Sequence, residues 1–279
     1  MAKRTLYISD LDGTLLNSNS LVSDNTVSIL NDLIDNKGIL FSVATARTPA
    51  TVIELLQEVH TNLPYIVMTG SAMWKEGLIN RRYLRGDEAR AIVELCDKHG
   101  ISPFLYTYNE EGSIIEAFHR KEMTPYESVF VDQRVGTPFK KFTFTDVFPS
   151  EALEKVMLVF AAGDYERVVS LHEEAAVRTD CSMTCYRDIF DSSTGFLEAM
   201  GRNVSKATAV EQLAAEVGAD RIVVFGDSPN DLSMRQVADM FVAPANASEQ
   251  VLAVADAIAD SNNNDCVARW IAADVAAGE

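Results

Sequence analysis

The chain is 279 residues long, 47% hydrophobic and 23% charged, the make-up of an ordinary globular protein with room for one large domain or two smaller ones. Asp plus Glu outnumber Lys plus Arg by 41 to 24, giving a net charge of −17. A surface of that sign repels nucleic acid and anionic membranes, so neither is expected as a partner, and an anionic substrate would need a local cation.

The basic start, Met1-Ala-Lys-Arg4, precedes an apolar run of only three residues, too short for a secretion leader. No stretch approaches the roughly 18 apolar residues of a membrane span. Cys96, Cys181, Cys185 and Cys266 are scattered without metal-ligand spacing, so free thiols in a reducing cytoplasm are expected.

Leu6, Tyr7 and Ile8 form a run just long enough for a buried parallel strand. It ends in two carboxylates, Asp10 and Asp12, followed by Gly13 and Thr14. Gly13 permits a sharp turn there. Two acids one residue apart repel each other at the strand end where open α/β sheets place ligands. A divalent cation would relieve that repulsion through hard oxygen ligands. On its own, the stretch reads either as a solvated turn or as a cation site.

The segment 22–38 reads as a helix capped by Ser23 or Asp24, with Val27, Leu30 and Ile34 as its stripe and Gly38 at its end. A buried-strand run over 39–45 closes in Thr45-Ala-Arg-Thr-Pro49, and Pro49 suits the first turn of a helix over 50–59. A third strand over 65–68 leads into Thr69-Gly-Ser71. This alternation argues for a parallel sheet.

From about Arg82 the rhythm changes. Helices are expected over 87–99, 150–155 and 165–174. Strands are expected over 102–108, 113–118, 140–145 and 156–161, near Val177, and over 183–186. This suggests an α+β insert with an antiparallel sheet. After Asp191-Ser-Ser-Thr-Gly195, read as a linker, the parallel rhythm returns: a strand over 196–199, a helix over 206–217, a strand over 221–225, then Gly226-Asp-Ser-Pro-Asn-Asp231. Short strands over 240–242 and 257–258, a helix around 248–254 and a terminal helix over 268–277 complete the chain.

Three apolar strands therefore end in polar groups, Asp10 with Asp12, Thr45, and Asp227 with Asn230 and Asp231; in a parallel sheet these ends share one rim. Lys206, at a helix start, can join them as the fixed positive charge.

With these motifs assembled, the chain resembles the haloacid dehalogenase superfamily, and within it the Cof-type phosphatases of subclass IIB. The matching stretches are Asp10-Leu-Asp-Gly-Thr-Leu-Leu16, Ala44-Thr-Ala-Arg47, Val204-Ser-Lys206 and Gly226-Asp-Ser-Pro-Asn-Asp-Leu232. They are in family order and span almost the whole chain. The resemblance implies an α/β fold, with a doubly wound, Rossmann-like parallel core at 1–84 and 194–279 and an inserted α+β cap at 85–193 that sets specificity. It implies that Asp10 attacks phosphorus and that Asp12 serves as acid and then base. A Mg2+ ion is expected among Asp10, the Asp12 carbonyl and Asp227. Phosphate would be held by Leu11, Thr45, Ala46, Lys206 and Asn230, with Asp231 and Arg47 in support.

The activity so implied is hydrolysis of a small phosphate monoester, with a sugar phosphate as the expected substrate. Two rivals share the scaffold: a phosphomutase resembling phosphomannomutase, and a non-catalytic ligand-binding member. A dehalogenase fits worse, because a halide needs no acid and Asp12 is present. The oligomeric state is open. The chain departs from the family pattern at Ala46, where glycine is usual, at Thr69-Gly-Ser71, where Asn-Gly-Ala is usual, and at Cys266, read as packing. The four histidines are read as surface or helix-end residues. Tyr106, Tyr108, His119, Arg120 and Arg187 are named as residues able to read a sugar.

Overall fold

The computed structural model describes residues 4–188 and 191–278. Met1–Lys3, part of the stretch weighed as a leader, together with Ile189, Phe190 and Glu279, lie outside the described residues. The chain divides into two compact units, Met1–Ile79 with Ser205–Glu279, and Asn80–Val204, and each has its own apolar core.

In chain order the first unit supplies β1 (Thr5–Ser9), α1 (Asp24–Lys37), β2 (Leu40–Val43), α2 (Pro49–Leu55), β3 (Tyr65–Val67), β4 (Ala72–Trp74) and β5 (Leu78–Ile79). The second unit holds α3 (Gly86–His99), β6 (Phe104–Asn109), β7 (Ile114–Arg120), α4 (Pro125–Asp132), β8 (Lys140–Thr145), α5 (Ser150–Leu153), β9 (Leu158–Asp164), α6 (Tyr165–Arg178), β10 (Ser182–Arg187) and β11 (Thr194–Met200). The first unit resumes with α7 (Lys206–Val217), β12 (Arg221–Phe225), β13 (Met240–Ala243), α8 (Glu249–Leu252), β14 (Ala257–Ile258) and α9 (Cys266–Gly278).

In the first unit the main sheet runs β14-β13-β12-β1-β2, and each neighbouring pair is parallel. Strand order reverses at β1, which has β2 on one side and β12 on the other, so the carboxyl ends of β1 and β12 flank the place where such sheets bind ligands. Burial drives the assembly: Phe41, Phe225 and Phe241 are fully buried, and each such side chain contributes about 1.5–3 kcal/mol. Ser23 caps α1 by accepting from the Thr26 amide, as its type and place predict. The expected third parallel strand is only partly one. Ala44 and Ile66 form a single parallel bridge, while β3 pairs along its length with β4 in a three-stranded antiparallel sheet, β3-β4-β5.

In the second unit a six-stranded sheet runs β10-β11-β9-β6-β7-β8, antiparallel except for β7 with β8. One face, with Leu105, Val159, Ala161 and Leu197, packs into the core with Ala89, Ile92 and Leu171 of α3 and α6. The other carries Phe104, Tyr106, Phe142, Phe160 and Phe196, and α4 lays Phe130 against Phe104 and Phe160. Three sequence expectations change here. The strand over 196–199 was read with the returning parallel core, but β11 pairs antiparallel to β9 and β10; a short apolar run carries no information about the direction of its partner. Val177 lies inside α6 rather than in a strand, because the helix that Asp164 caps continues past it with Val177 facing solvent. His119 is fully buried beneath Phe104 rather than at the surface.

Candidate active site

Asp10 directly follows β1, and its amide donates to the Phe225 carbonyl of β12. Its carboxylate Oδ1 accepts from Lys206 Nζ at 2.6 Å. Lys206 is the first residue of α7, set by the Ser205 cap, and its side chain is fully buried. The same ammonium donates to Asp231 Oδ1 at 2.7 Å. The other oxygen of Asp231 accepts from the amides of Asp227 and Ser228 at 3.0 and 3.1 Å. Asp227, after β12, accepts from Thr14 Oγ1 at 3.1 Å. Side-chain oxygens of Asp10, Asp227 and Asp231 all lie within 4.8 Å of one another.

One ammonium faces three carboxylates here, and its charge is not enough for them. Burial alone would depress Lys206, yet the charges of Asp10 and Asp231 overcome it and hold the ammonium above its usual range. Burial, and then repulsion from Asp231, pushes Asp10 well above the ordinary carboxylate range even with Lys206 attached. The same two causes bring Asp227 up to about 6. Like charges held together without full compensation, presenting only hard oxygen donors, suit a small divalent cation. Asp231 has both oxygens engaged, one by Lys206 and the other by two amides. The hydrogen bonds to the Asp10 and Asp227 side chains fall on one oxygen of each, which makes these two the carboxylates fitted to hold the ion.

The turn after Asp10 is shaped for this cluster. Gly13 has φ +76°, and a Cβ there would run into the Asp227 carboxylate. Its carbonyl accepts from Asn246 Nδ2 at 2.8 Å, and Asn246 in turn accepts from the Asn262 amide at 2.9 Å. Thr14 and Ser228 were named in the sequence only as members of their motifs, without a role. Asn246 and Asn262 were not singled out and carried no local signal.

Thr45 is buried at the end of the β2 loop, where its hydroxyl accepts from the Arg47 amide at 3.1 Å. Ala46 is absent from the positive-φ residues, so alanine meets no backbone conflict where glycine is usual. The Thr45–Arg47 loop is tied down by the next one: the Met68 amide donates to the Arg47 carbonyl, and the Thr69 amide to the Thr45 carbonyl. Met68, Thr69 and Gly70 have φ of 52°, 56° and 93°, three successive left-handed residues. Leu11 is buried. Asn230 is half-buried and accepts from Ser228 Oγ at 2.5 Å. Cys266 is buried with its thiol toward the Thr14 carbonyl, in keeping with packing.

Asp12 lies apart from the carboxylate cluster. Its side chain is 55% exposed and takes a two-pronged ion pair from Arg47, with Nε on Oδ2 at 2.8 Å and a terminal nitrogen on Oδ1 at 2.6 Å. The residues named as sugar readers are not alike in the second unit. Tyr106 and His119 are buried, and Arg120 is bound to Asp97.

The description of the haloacid dehalogenase-like hydrolases matches residues 7–271. The chain belongs to this family. It is similar to the 5-amino-6-(5-phospho-D-ribitylamino)uracil phosphatase YcsE of Bacillus subtilis (strain 168), with 26% identity over 270 residues, 95% of this chain and 94% of the relative. A haloacid dehalogenase-like hydrolase of Bacteroides thetaiotaomicron superposes with a TM-score of 0.77 at 23% identity, over 97% of this chain and 99% of the other. The HAD subclass IIB sugar phosphatase BT4131 superposes with a TM-score of 0.74 at 21% identity, over 96% and 98% of the two chains. The α/β fold expected from the sequence is thus the observed one, and the enzyme class, a hydrolase of the phosphatase type, is upheld.

Proposed function

We propose that the chain is a magnesium-dependent phosphatase acting on a small phosphate monoester, a sugar phosphate in the first instance, through an aspartyl-phosphate on Asp10. The observation that carries this is the buried Asp10–Lys206–Asp231 network beside Asp227. A nucleophilic carboxylate, a fixed cation and a second metal-suited carboxylate meet at the carboxyl ends of β1 and β12.

In this reading Asp10 attacks phosphorus and the leaving oxygen departs with a proton from Asp12. The intermediate acyl phosphate is then hydrolysed by a water that gives its proton back to Asp12, a use of one group as acid and base worth about 10² to 10⁴ in rate. Lys206, Thr45, Asn230 and the amides of Leu11 and Ala46 bind the phosphate oxygens. Asp231 keeps Lys206 aimed. Asp10, Asp227 and the Asp12 carbonyl would hold magnesium, whose charge would offset the repulsion between a carboxylate and the phosphate it attacks. The inserted unit is proposed to select the leaving group. The four cysteines are free thiols, the state that a reducing cytoplasm maintains, and we place the enzyme there.

Asp10→Asn is the direct test. It removes the nucleophile and one negative charge, so turnover of a sugar phosphate should fall by at least about 10³ with the thermal transition retained. A variant that still releases phosphate at the parent rate would sink the reading. Assaying free phosphate beside isomerised sugar phosphate in the parent enzyme separates a phosphatase from a phosphomutase.

A further inference from the structure

The second unit holds a cation that the chemistry above does not use. Lys140 opens β8 and is only 9% exposed. Its Nζ lies over three aromatic rings, 4.7 Å from the centre of Phe142, 4.9 Å from Tyr106 and 5.7 Å from Phe130. Register places the rings. Tyr106 and Phe142 each stand opposite Ala117 on β7, whose small side chain leaves room between the two rings. Among the described residues no carboxylate pairs with Lys140, although the chain carries 41 acids against 24 lysines and arginines.

The neighbouring charge has the wrong sign. The Arg134 guanidinium stacks on Phe130 at 3.9 Å and, after burial itself, is the next cause that brings the Lys140 ammonium down to about 7. Ring faces attract a cation, but they offer no lone pairs to three N–H donors. An ammonium taken out of water, beside a second cation and without an anion, is an arrangement that an oxyanion would complete.

We propose that Lys140 Nζ anchors an oxyanion-binding site within the 80–204 unit, one that takes a carboxylate or phosphate group seated against the Tyr106, Phe130 and Phe142 rings. Such a group has two possible sources: a second acidic function on the phosphate-ester substrate, or a separate small acid. Binding itself does not rest on the proposed activity.

The test uses the full chain with lysines labelled at Cε with carbon-13, and identifies the Lys140 resonance by its loss in Lys140→Met. Succinate and inorganic phosphate are each titrated in without divalent metal. A Lys140 resonance that moves and saturates is the expected result, with succinate affinity by calorimetry about tenfold or more weaker in Lys140→Met and largely kept in Lys140→Arg. A second arm compares kcat/KM for phosphoglycerate with that for glycerol phosphate. If the anion belongs to the substrate, Lys140→Met lowers that ratio about tenfold by acting on phosphoglycerate alone. If it is a separate acid, the ratio holds while succinate still binds the parent protein. A resonance that neither anion moves, together with an unchanged ratio, overturns the proposal. The resonance arm needs no folded variant beyond the assignment and no turnover, so its failure stands apart from any failure of the phosphatase reading.

Discussion

Asp12 and Arg47 are 35 positions apart, and their two-pronged pair holds the acid/base candidate outside the buried cluster. An ion pair this exposed adds little stability, about 0–1 kcal/mol, so its consequence lies in where it points the carboxylate. With Asp12 held by a guanidinium, a proton must reach the leaving oxygen from a side chain of restricted orientation. Arg47→Ala should therefore leave the thermal midpoint nearly unchanged and cost about tenfold in kcat/KM on an alkyl phosphate. An aryl phosphate, whose leaving group needs no proton in the step that forms the aspartyl-phosphate, should be spared in kcat/KM. The check is the alkyl-to-aryl ratio of kcat/KM in parent and variant; equal losses on both substrates would mean that Arg47 does not act through Asp12 as the acid. Nothing in the sequence announced this pair, because ion pairs between distant loops leave no periodicity or spacing to read.

At the scale of elements, Gly70 sits between the Thr45–Arg47 loop and the start of α7. It follows two left-handed residues, and a Cβ on it would collide with the Ser205 carbonyl at the start of α7. The amides before it hold the Thr45–Arg47 loop. Gly70→Ala should cost about 1–3 kcal/mol from φ strain and the displaced carbonyl. Because the first residue of α7 is Lys206, turnover should fall as well. Thermal unfolding and kcat measured together decide it, since lost stability with full turnover would show that the displacement does not reach Lys206. The elements that frame this site were legible for physical reasons. β1, β12 and α7 are a continuous apolar run, another such run, and a helix with a polar cap and a terminal glycine. α4 went unread even though Thr124-Pro-Tyr-Glu127 is a capping box with proline in the first turn; the aromatic strands on either side dominated the pattern. β4 and β5 span three and two residues, too short for any alternation to show.

Over the whole molecule the charge is −17, and part of it is concentrated at Asp10, Asp227 and Asp231. The folded pKa of Asp227 is about 6, and that of Asp10 is also raised. A carboxyl with a raised folded pKa binds its proton more tightly folded than unfolded. Its contribution is therefore present at low pH and lost as pH rises through the folded value. Without divalent metal, stability should thus decline as pH rises from about 4 to beyond about 6. Magnesium, held by the ionised carboxylates as proposed, should reverse this. At about 100 times its Kd it adds about 2.7 kcal/mol, a rise in midpoint on the order of 5 °C at neutral pH. The increment should shrink below about pH 6, where protons compete for the same oxygens. General screening of a net-negative chain would also raise the midpoint, so sodium chloride at matched ionic strength is the control and should reproduce only a minor part. Asp227→Asn should remove most of the magnesium increment while raising the midpoint of the metal-free protein at neutral pH, since it deletes one of the repelling charges. Calorimetric scans of parent and variant at two pH values, with magnesium, with sodium chloride at matched ionic strength and with neither, measure each of these shifts. An increment that survives in Asp227→Asn would place the ion elsewhere than at the end of β12.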